Sequence, residues 1–237
     1  MLNEIDNVLD SAFCKCTYSD DEKAHKHLHR WKNWEPNTPF APVFDVPIWL
    51  DDIKKDVVNN LVDAIDENNL GLYKKLWKEY NIFKWEYPVL NSVRATVARI
   101  YLDYMKSLHL EPEKLDSLWI RGWAVVLEPG ESLDQHCHAY HENAYLSGNI
   151  SLSDTGTVTN YLIPHLSPYY GPWKAENKPG RVTFFPSWVE HYVDQVEHKR
   201  YSIGFDIFEY HTMEYVSHNR DYNDPEQNTI LHAIPLA

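Results

Sequence analysis

Hydrophobic residues recur at helical spacing in the first half of the chain and at alternating or short continuous spacing in the second half. In DDIKKDVVNNLVDAID, residues 51–66, the apolar positions predict an amphipathic helix that begins among acidic residues. A second apolar stripe predicts a helix over about 91–108, and 70–88 is interpreted as partly helical. These helices carry no obvious catalytic residues, so we interpret them as scaffold.

From about residue 118 the pattern changes to short β-rich runs separated by Pro, Gly, Asn and Asp. This spacing is typical of an all-β sandwich or barrel. An additional short apolar run, VFDVPIWL at 43–50, is broken by Pro47 and predicts an edge strand. Helices followed by a β-barrel indicate one α+β domain. The runs that predict its strands are 119–127, 132–138, 145–152, 157–163, 181–185, 190–196 and 201–208.

The same pattern divides the chain into three parts. Residues 1–40 are polar and turn-rich and are expected to form an irregular N-terminal arm. Residues 41–210 carry all the long periodic segments and are expected to form a single domain, with the helices at about 51–108 and the barrel at about 118–208. Residues 211–237 return to a polar pattern and are expected to form a C-terminal tail.

Composition and charge narrow the class of function. The chain has 237 residues, enough to bury a sizeable core, and its hydrophobic content of 43% is typical of a globular protein. A formal net charge of −13 argues against nucleic acid and against an anionic membrane surface. The odd number of cysteines, the absence of a signal-peptide pattern and the lack of a long apolar run predict a soluble, cytoplasmic protein. The sequence gives no signal of oligomeric state.

Candidate metal ligands cluster in ESLDQHCHAYHENAYLSG, residues 131–148. His136 and His138 are two residues apart on a predicted strand, so both face the same side, about 7 Å apart. They can converge on one ion where the strand end twists. A third ligand from a distant segment would complete one side of the metal, and His191 is the best candidate because its segment reads as strand, turn, strand.

A rival cluster lies in the N-terminal arm. AHKHLHR places three histidines at alternate positions, with two cysteines nearby, and these are ligands that zinc prefers. The arm lacks a CxxC knuckle, however, and is the least regular part of the chain, so the first cluster is the favoured metal site. The residues of the rival cluster are His25, His27, His29, Cys14 and Cys16.

The spacing around the favoured cluster resembles the first motif of cupins, with Gly130, His136, His138, Glu142 and Gly148 in order. The second cupin motif is matched only in part by Gly180, Pro186 and His191. Trp188 stands where that motif has a glycine, and Gln195 where it has an asparagine. Both motifs belong to a double-stranded β-helix whose inner face holds a metal.

The second half fits another family better. GRVTFFPSWVEHYVDQVEHKRYSIGFDI, residues 180–207, strongly resembles the C-terminal motif of iron(II)/2-oxoglutarate-dependent oxygenases, in particular a bacterial and phage group with an FPSW..H.V......R.S..F signature. The resemblance extends to SGNISL at 147–152 and loosely to VPIWLDDI near the N-terminus. It implies a double-stranded β-helix, a jelly-roll or cupin-like barrel, with the N-terminal helices packed against it.

Carried over by position, the resemblance makes His136 and His191 iron ligands. It makes Arg200 the partner of the far carboxylate of 2-oxoglutarate, with Ser202 assisting. The alternation of the strand supports this assignment, because Arg200, Ser202, Gly204 and Asp206 share a polar face opposite an apolar one. A guanidinium also matches a carboxylate through two parallel hydrogen bonds, which lysine cannot reproduce.

The third iron ligand is open at this stage. The usual facial triad has a carboxylate two residues after the first histidine, and here that position is His138. Either iron takes three imidazoles, or Glu142 reaches in from its loop and His138 supports the site from behind. We favour three histidines, because His138 has the right position on the predicted strand.

The resemblance implies iron(II) and 2-oxoglutarate as cofactors, O₂ as co-substrate, and hydroxylation of an unknown small molecule or protein side chain with release of succinate and CO₂. Asn149 is a weaker candidate for contact with 2-oxoglutarate, Trp123 for a wall of the site, and the aromatic loop 165–180 for substrate selection. Two other hypotheses remain: a cupin-type metal enzyme without 2-oxoglutarate, and a non-catalytic ligand-binding barrel.

Overall fold

The structure is a computed structural model that describes residues 26–32, 38–40, 43–68, 81–138, 144–163, 171–209 and 232–237. Two longer helices, α1 (Lys55–Glu67) and α2 (Pro88–Ser107), precede most of the strands, and 3-10 turns lie at Ile82–Lys84 and Leu115–Ser117. The strands are β1 (Leu28–Lys32), β2 (Asp45–Asp52), β3 (Leu118–Leu127), β4 (Leu133–His136), β5 (Ala144–Ser151), β6 (Val158–Tyr161), β7 (Trp173–Glu176), β8 (Arg181–Pro186), β9 (His191–Val193), β10 (Arg200–Glu209) and β11 (Ile234–Pro235).

Both helices form where the apolar stripe predicts them, with shifted ends. Helix α1 buries Val58, Leu61 and Ile65 and ends at Asn68, whose side-chain amide donates to the Ala64 carbonyl at 2.8 Å. Helix α2 begins at Pro88, which has no N–H to leave unsatisfied in the first turn. The buried stripes of both helices pack on one face of a large sheet, in the main hydrophobic core.

The described strands form two antiparallel sheets. The larger is seven-stranded, in the order β1-β2-β8-β5-β10-β3-β11, and the smaller is four-stranded, in the order β4-β9-β6-β7. On β10, Ile203, Phe205 and Ile207 pack with the helices, so Arg200, Ser202, Gly204 and Asp206 face the other side, as the alternation predicted. On β5, Leu146 and Ile150 likewise face the helices, while Ser147, Asn149 and Ser151 do not.

Two smaller apolar clusters lie between the sheets, and the inner faces of β5 and β10 separate them. One cluster involves β2, β6, β7 and β8 and includes Val46, Tyr161 and Phe185. The other involves β3 and β9 and includes Trp123 and Val193. Because β5 and β10 lie between these strands in the large sheet, their buried polar side chains form a polar strip between the two apolar clusters.

Several expectations are corrected. The 43–50 segment contributes to β2, which is not an edge strand because β1 pairs with it. Residues 28–32 therefore belong to the sheet and not to an irregular arm. Burial of Leu28 and the Arg30–Asp45 ion pair at 2.6 Å stabilise that pairing. Strand β7 lies inside the segment expected to be a loop, and β11 inside the expected tail. Within the described ranges no helix is long and apolar enough to cross a membrane.

Candidate metal and cofactor site

Three histidines meet at one end of the smaller sheet. His136 is the last residue of β4 and His191 the first of β9, and the two are directly opposite each other in the register. His138 lies two residues beyond the end of β4. One ligand nitrogen from each imidazole can be chosen so that all lie within 4.8 Å of one another. The cluster therefore has the size and donor set of a metal site.

The position of His138 corrects one expectation. Strand β4 ends at His136 rather than at 138, because its partner β9 has only three residues and the β4–β9 register shifts between Leu133 and His136. His138 is instead fixed by its backbone N–H, which donates to the Ser187 carbonyl at 2.9 Å. The rings of His136 and His138 stack with centroids 5.3 Å apart, so the two imidazoles converge as the spacing predicted.

Each imidazole has its Nδ1 atom engaged by an acceptor. His136 Nδ1 lies 2.7 Å from the Asp134 carbonyl, His191 Nδ1 lies 3.1 Å from the Val189 carbonyl, and His138 Nδ1 lies 2.6 Å from Asp206 Oδ1. These partners fix the tautomer with the proton on Nδ1 and leave the Nε2 lone pair available for a metal.

The PSWV segment, residues 186–189, forms a turn that contacts two of the three histidines. Its Ser187 carbonyl accepts from the His138 backbone, and its Val189 carbonyl orients His191. The turn is closed by Val189 N–H donating to the Pro186 carbonyl at 2.9 Å. One short turn therefore orients two of the three histidines, which ties the sequence motif to the geometry of the site.

The protonation of the histidines suits metal binding. Burial and the neighbouring His138 and His136 hold the pKa of His191 well below its ordinary value. Burial, partly offset by the hydrogen bond to the Asp134 carbonyl, also lowers the pKa of His136. Both imidazoles are therefore neutral at pH 7, and a neutral imidazole is the form that coordinates a metal.

Arg200 and Ser202 lie on the polar strip as predicted. Arg200 is 2% exposed and Ser202 is 3% exposed, and Arg200 Nη1 donates to Ser202 Oγ at 2.9 Å. A buried guanidinium is costly to desolvate unless it meets an anion or a set of acceptors. This pair can bind a carboxylate that enters between the two sheets.

Tyr161 joins the arginine region to the histidines, and sequence reasoning missed it. It is opposite His191 in the β6–β9 register, and its ring stacks on that imidazole with centroids 5.7 Å apart. Its hydroxyl accepts from Asn149 Nδ2 at 2.8 Å. Burial raises the pKa of Tyr161 well above its ordinary value, and the positive charge of Arg200 is among the effects that oppose this rise. The only signal in the sequence was a tyrosine on a predicted strand.

Comparisons with known proteins bear on this arrangement. No family model matches the sequence, and no curated protein matches it. Among solved structures, a prolyl-4-hydroxylase from Pseudomonas putida is similar at 15% identity and a TM-score of 0.50, over 68% of this chain and 86% of that one. The non-heme alpha-ketoglutarate-dependent carbocyclase SnoK from nogalamycin biosynthesis is similar at 13% identity and a TM-score of 0.50, over 68% of this chain and 79% of that one. The chain has their double-stranded β-helix fold.

Within this double-stranded β-helix, Trp123 walls the site as predicted. Its ring lies 5.4 Å from that of His138, and the Arg121 guanidinium stacks on it at 4.9 Å. Trp123 crosses directly over Gly204, where a side chain would collide with the indole.

The two histidines of the rival cluster that the structure describes are not brought into the site. Glu142 lies outside the described residues, as do His25 and both cysteines of the rival cluster. His27 stacks on Trp49 and His29 packs on Trp173, so these two histidines contact different tryptophans and do not meet on one ion.

Proposed function

We propose that the chain is a non-haem iron(II)- and 2-oxoglutarate-dependent oxygenase that hydroxylates a small molecule or a protein side chain. The observation that carries the proposal is the row formed by three histidines, Tyr161 and the buried Arg200–Ser202 pair between the sheets. One nitrogen from each of the three imidazoles lies within 4.8 Å of the other two, and this donor set suits a divalent metal that binds nitrogen ligands, such as iron(II). His136, His138 and His191 are the proposed ligands, and Glu142 remains the alternative to His138.

The proposed roles of the chain's own residues follow from their chemistry. Arg200 binds the far carboxylate of 2-oxoglutarate, and Ser202 holds the guanidinium in place. Asn149 and Tyr161, from the two facing sheets, place a hydrogen-bonded pair of polar groups between the sheets. Trp123 and the apolar clusters on either side exclude water. When bound, iron(II) and 2-oxoglutarate would activate O₂, so that one oxygen atom converts a C–H bond of the prime substrate to C–OH and the other enters succinate as 2-oxoglutarate loses CO₂.

The proposal also includes O₂ and a prime substrate of unidentified structure. The net charge of −13 disfavours nucleic acid as that substrate. The hydroxylase and carbocyclase with this fold act on different kinds of molecule by their names, so the fold does not select the substrate class. Residues 165–180 remain the predicted selectivity segment, and its described part contributes Trp173, which packs on Tyr161.

The test is succinate formation from 2-oxoglutarate by protein loaded anaerobically with iron(II) and then exposed to O₂. Wild type should form succinate slowly even without prime substrate, and His191→Ala and Arg200→Ala should abolish it. His198→Ala removes an exposed histidine seven residues from His191 and should retain it.

If no succinate forms, calorimetric titration of 2-oxoglutarate into the metal-loaded protein decides between the alternatives. Binding that Arg200→Ala abolishes supports the oxygenase and indicates tight coupling to an absent prime substrate. Metal binding without 2-oxoglutarate binding favours a cupin-type metal enzyme. If neither binds, the chain is a non-catalytic barrel and the proposal is wrong.

A further inference from the structure

We propose that Asp206 is a positioning residue for the metal site, which orients His138 and supplies, through that imidazole, the negative charge that an all-histidine ligand set lacks. The inference rests on the proposed function, because it assumes that the histidines hold a metal. It concerns a residue 68 positions from His138 in the chain.

His138 differs from the other two histidines in the nature of its Nδ1 partner. His136 and His191 each contact a backbone carbonyl, which is neutral. His138 contacts the carboxylate of Asp206 at 2.6 Å between Nδ1 and Oδ1. A carboxylate behind an imidazole fixes the ring and makes its second nitrogen a stronger donor to a metal.

Asp206 is itself held in place by a closed ring of hydrogen bonds. Ser147 Oγ donates to Asp206 Oδ1 at 2.6 Å and also lies 2.9 Å from Ser187 Oγ. A hydroxyl carries one proton, so Ser147 donates to the carboxylate and accepts from Ser187. The Ser187 carbonyl accepts the His138 backbone N–H, which returns the ring to its start. The orientation of His138 is therefore fixed from both its side chain and its backbone.

The contact between Asp206 and His138 changes the net charge around the proposed metal. Two histidines and one carboxylate bring one negative charge to a metal, whereas three neutral imidazoles bring none. Asp206 is 7% exposed, so water screens its carboxylate weakly. In the usual triad the residue at the position of His138 is itself a carboxylate. Here the carboxylate of Asp206 contacts the Nδ1 atom of His138 instead. The negative charge is thus retained in the site but moved from the ligand to the group behind it.

Cobalt(II) binding tests the inference without relying on turnover. Cobalt(II) is titrated into metal-free wild type and Asp206→Asn, with affinity from calorimetry and geometry from the visible absorption bands. Asp206→Asn keeps the size of the side chain and loses the charge. We expect its cobalt(II) affinity to fall about tenfold or more and its absorption bands to shift. Asp194→Asn removes an exposed carboxylate three residues from His191 and should bind as wild type does.

A double variant separates this role from a purely structural one. His138→Asp combined with Asp206→Asn moves the carboxylate to the ligand position, and we expect it to bind cobalt(II) within about threefold of wild type. Circular dichroism and the thermal midpoint of each metal-free variant check the fold. If Asp206→Asn binds as wild type does, or if the double variant is as weak as Asp206→Asn alone, the inference is overturned while the metal site stands. If wild type itself binds no cobalt(II), the proposed function fails and the inference with it.

Discussion

Tyr161 lies stacked on His191, with 5.7 Å between ring centroids and 25° between the ring planes. Its hydroxyl accepts a hydrogen bond from Asn149 on the opposite sheet. One side chain therefore supports a proposed metal ligand with its ring and bridges the two sheets with its hydroxyl. The two functions can be separated, because phenylalanine retains the first and removes the second.

Tyr161→Phe should lower stability without disturbing the metal site. The substitution removes the acceptor of the half-buried Asn149 amide, and the net contribution of one such hydrogen bond to stability is about 1 kcal/mol. The Val189 carbonyl still orients His191, so cobalt(II) affinity should stay within about twofold of wild type. Urea unfolding and cobalt(II) titration measure the two effects. Tyr192→Phe, on the opposite face of the small sheet, is the control; a tenfold loss of metal affinity in Tyr161→Phe would show that its hydroxyl acts on the ligands.

Arg200→Lys should weaken 2-oxoglutarate binding selectively. Lysine keeps the positive charge but loses the planar fork, and a hydrogen bond to a charged group contributes about 1.5–3 kcal/mol. The dissociation constant for 2-oxoglutarate should therefore rise about 10- to 100-fold, with cobalt(II) affinity unchanged. Calorimetry on the metal-loaded protein measures both. A variant that binds 2-oxoglutarate as wild type does would mean that Arg200 only stabilises the polar strip.

The sequence predicted much of the site because its members lie in two short segments. Spacing and resemblance predict His136, His138 and His191 as ligands. The resemblance predicts the roles of Arg200 and Ser202, and the alternation of one strand supports placing both on one face. The contact between His138 and Asp206 could not be predicted, although the alternation placed Asp206 on the polar face. It depends on the order of β3, β10 and β5 in the large sheet and on the turn at residues 186–189, which is distant from His138 in the chain.

Strands β1 and β7 were missed for a related reason. LHRWK and WKAE contain charged residues and are too short to show a period. They form because their tryptophans pack together: Trp31 contacts Trp173 edge-on at 5.2 Å between centroids. Stabilisation of this kind comes from tertiary packing, which local pattern does not report.

Gly204→Ala and Gly148→Ala should both lower stability, but only the first should also affect the metal site. The new methyl at 204 would meet the Trp123 indole at 2.8 Å, on the face that carries His138. The methyl at 148 would meet the Phe205 ring and the Thr183 carbonyl, on the face that packs with the helices. Both should lose stability, by about 1–3 kcal/mol or more. Only Gly204→Ala should also weaken cobalt(II) binding, because a displaced Trp123 moves against His138. Equal metal affinities would contradict this reading of the Trp123 contact.

The lowered pKa of His191 makes stability depend on pH in a predictable direction. Burial and two neighbouring imidazoles hold its folded-state pKa below the ordinary value of 6.5. Between those two values the unfolded chain binds more protons than the folded chain, so the free energy of unfolding falls as pH decreases through 6.5 towards the folded pKa. The loss attributable to one such histidine is at most about 1.4 kcal/mol per pH unit. The pKa of His136 is also lowered, so this histidine likewise decreases the free energy of unfolding as the pH falls.

His191→Gln cannot take up this proton, so its stability should fall less between pH 7.5 and 5.5 than that of wild type. Urea unfolding of metal-free protein in a chelator measures the difference at each pH, and His198→Gln controls for the loss of an exposed imidazole. Adding cobalt(II) should steepen the dependence in wild type, because the metal binds only neutral imidazoles and protons compete with it. Parallel pH profiles for wild type and His191→Gln would mean that the folded protein protonates His191 freely, and the site would then be more open to water than its burial indicates.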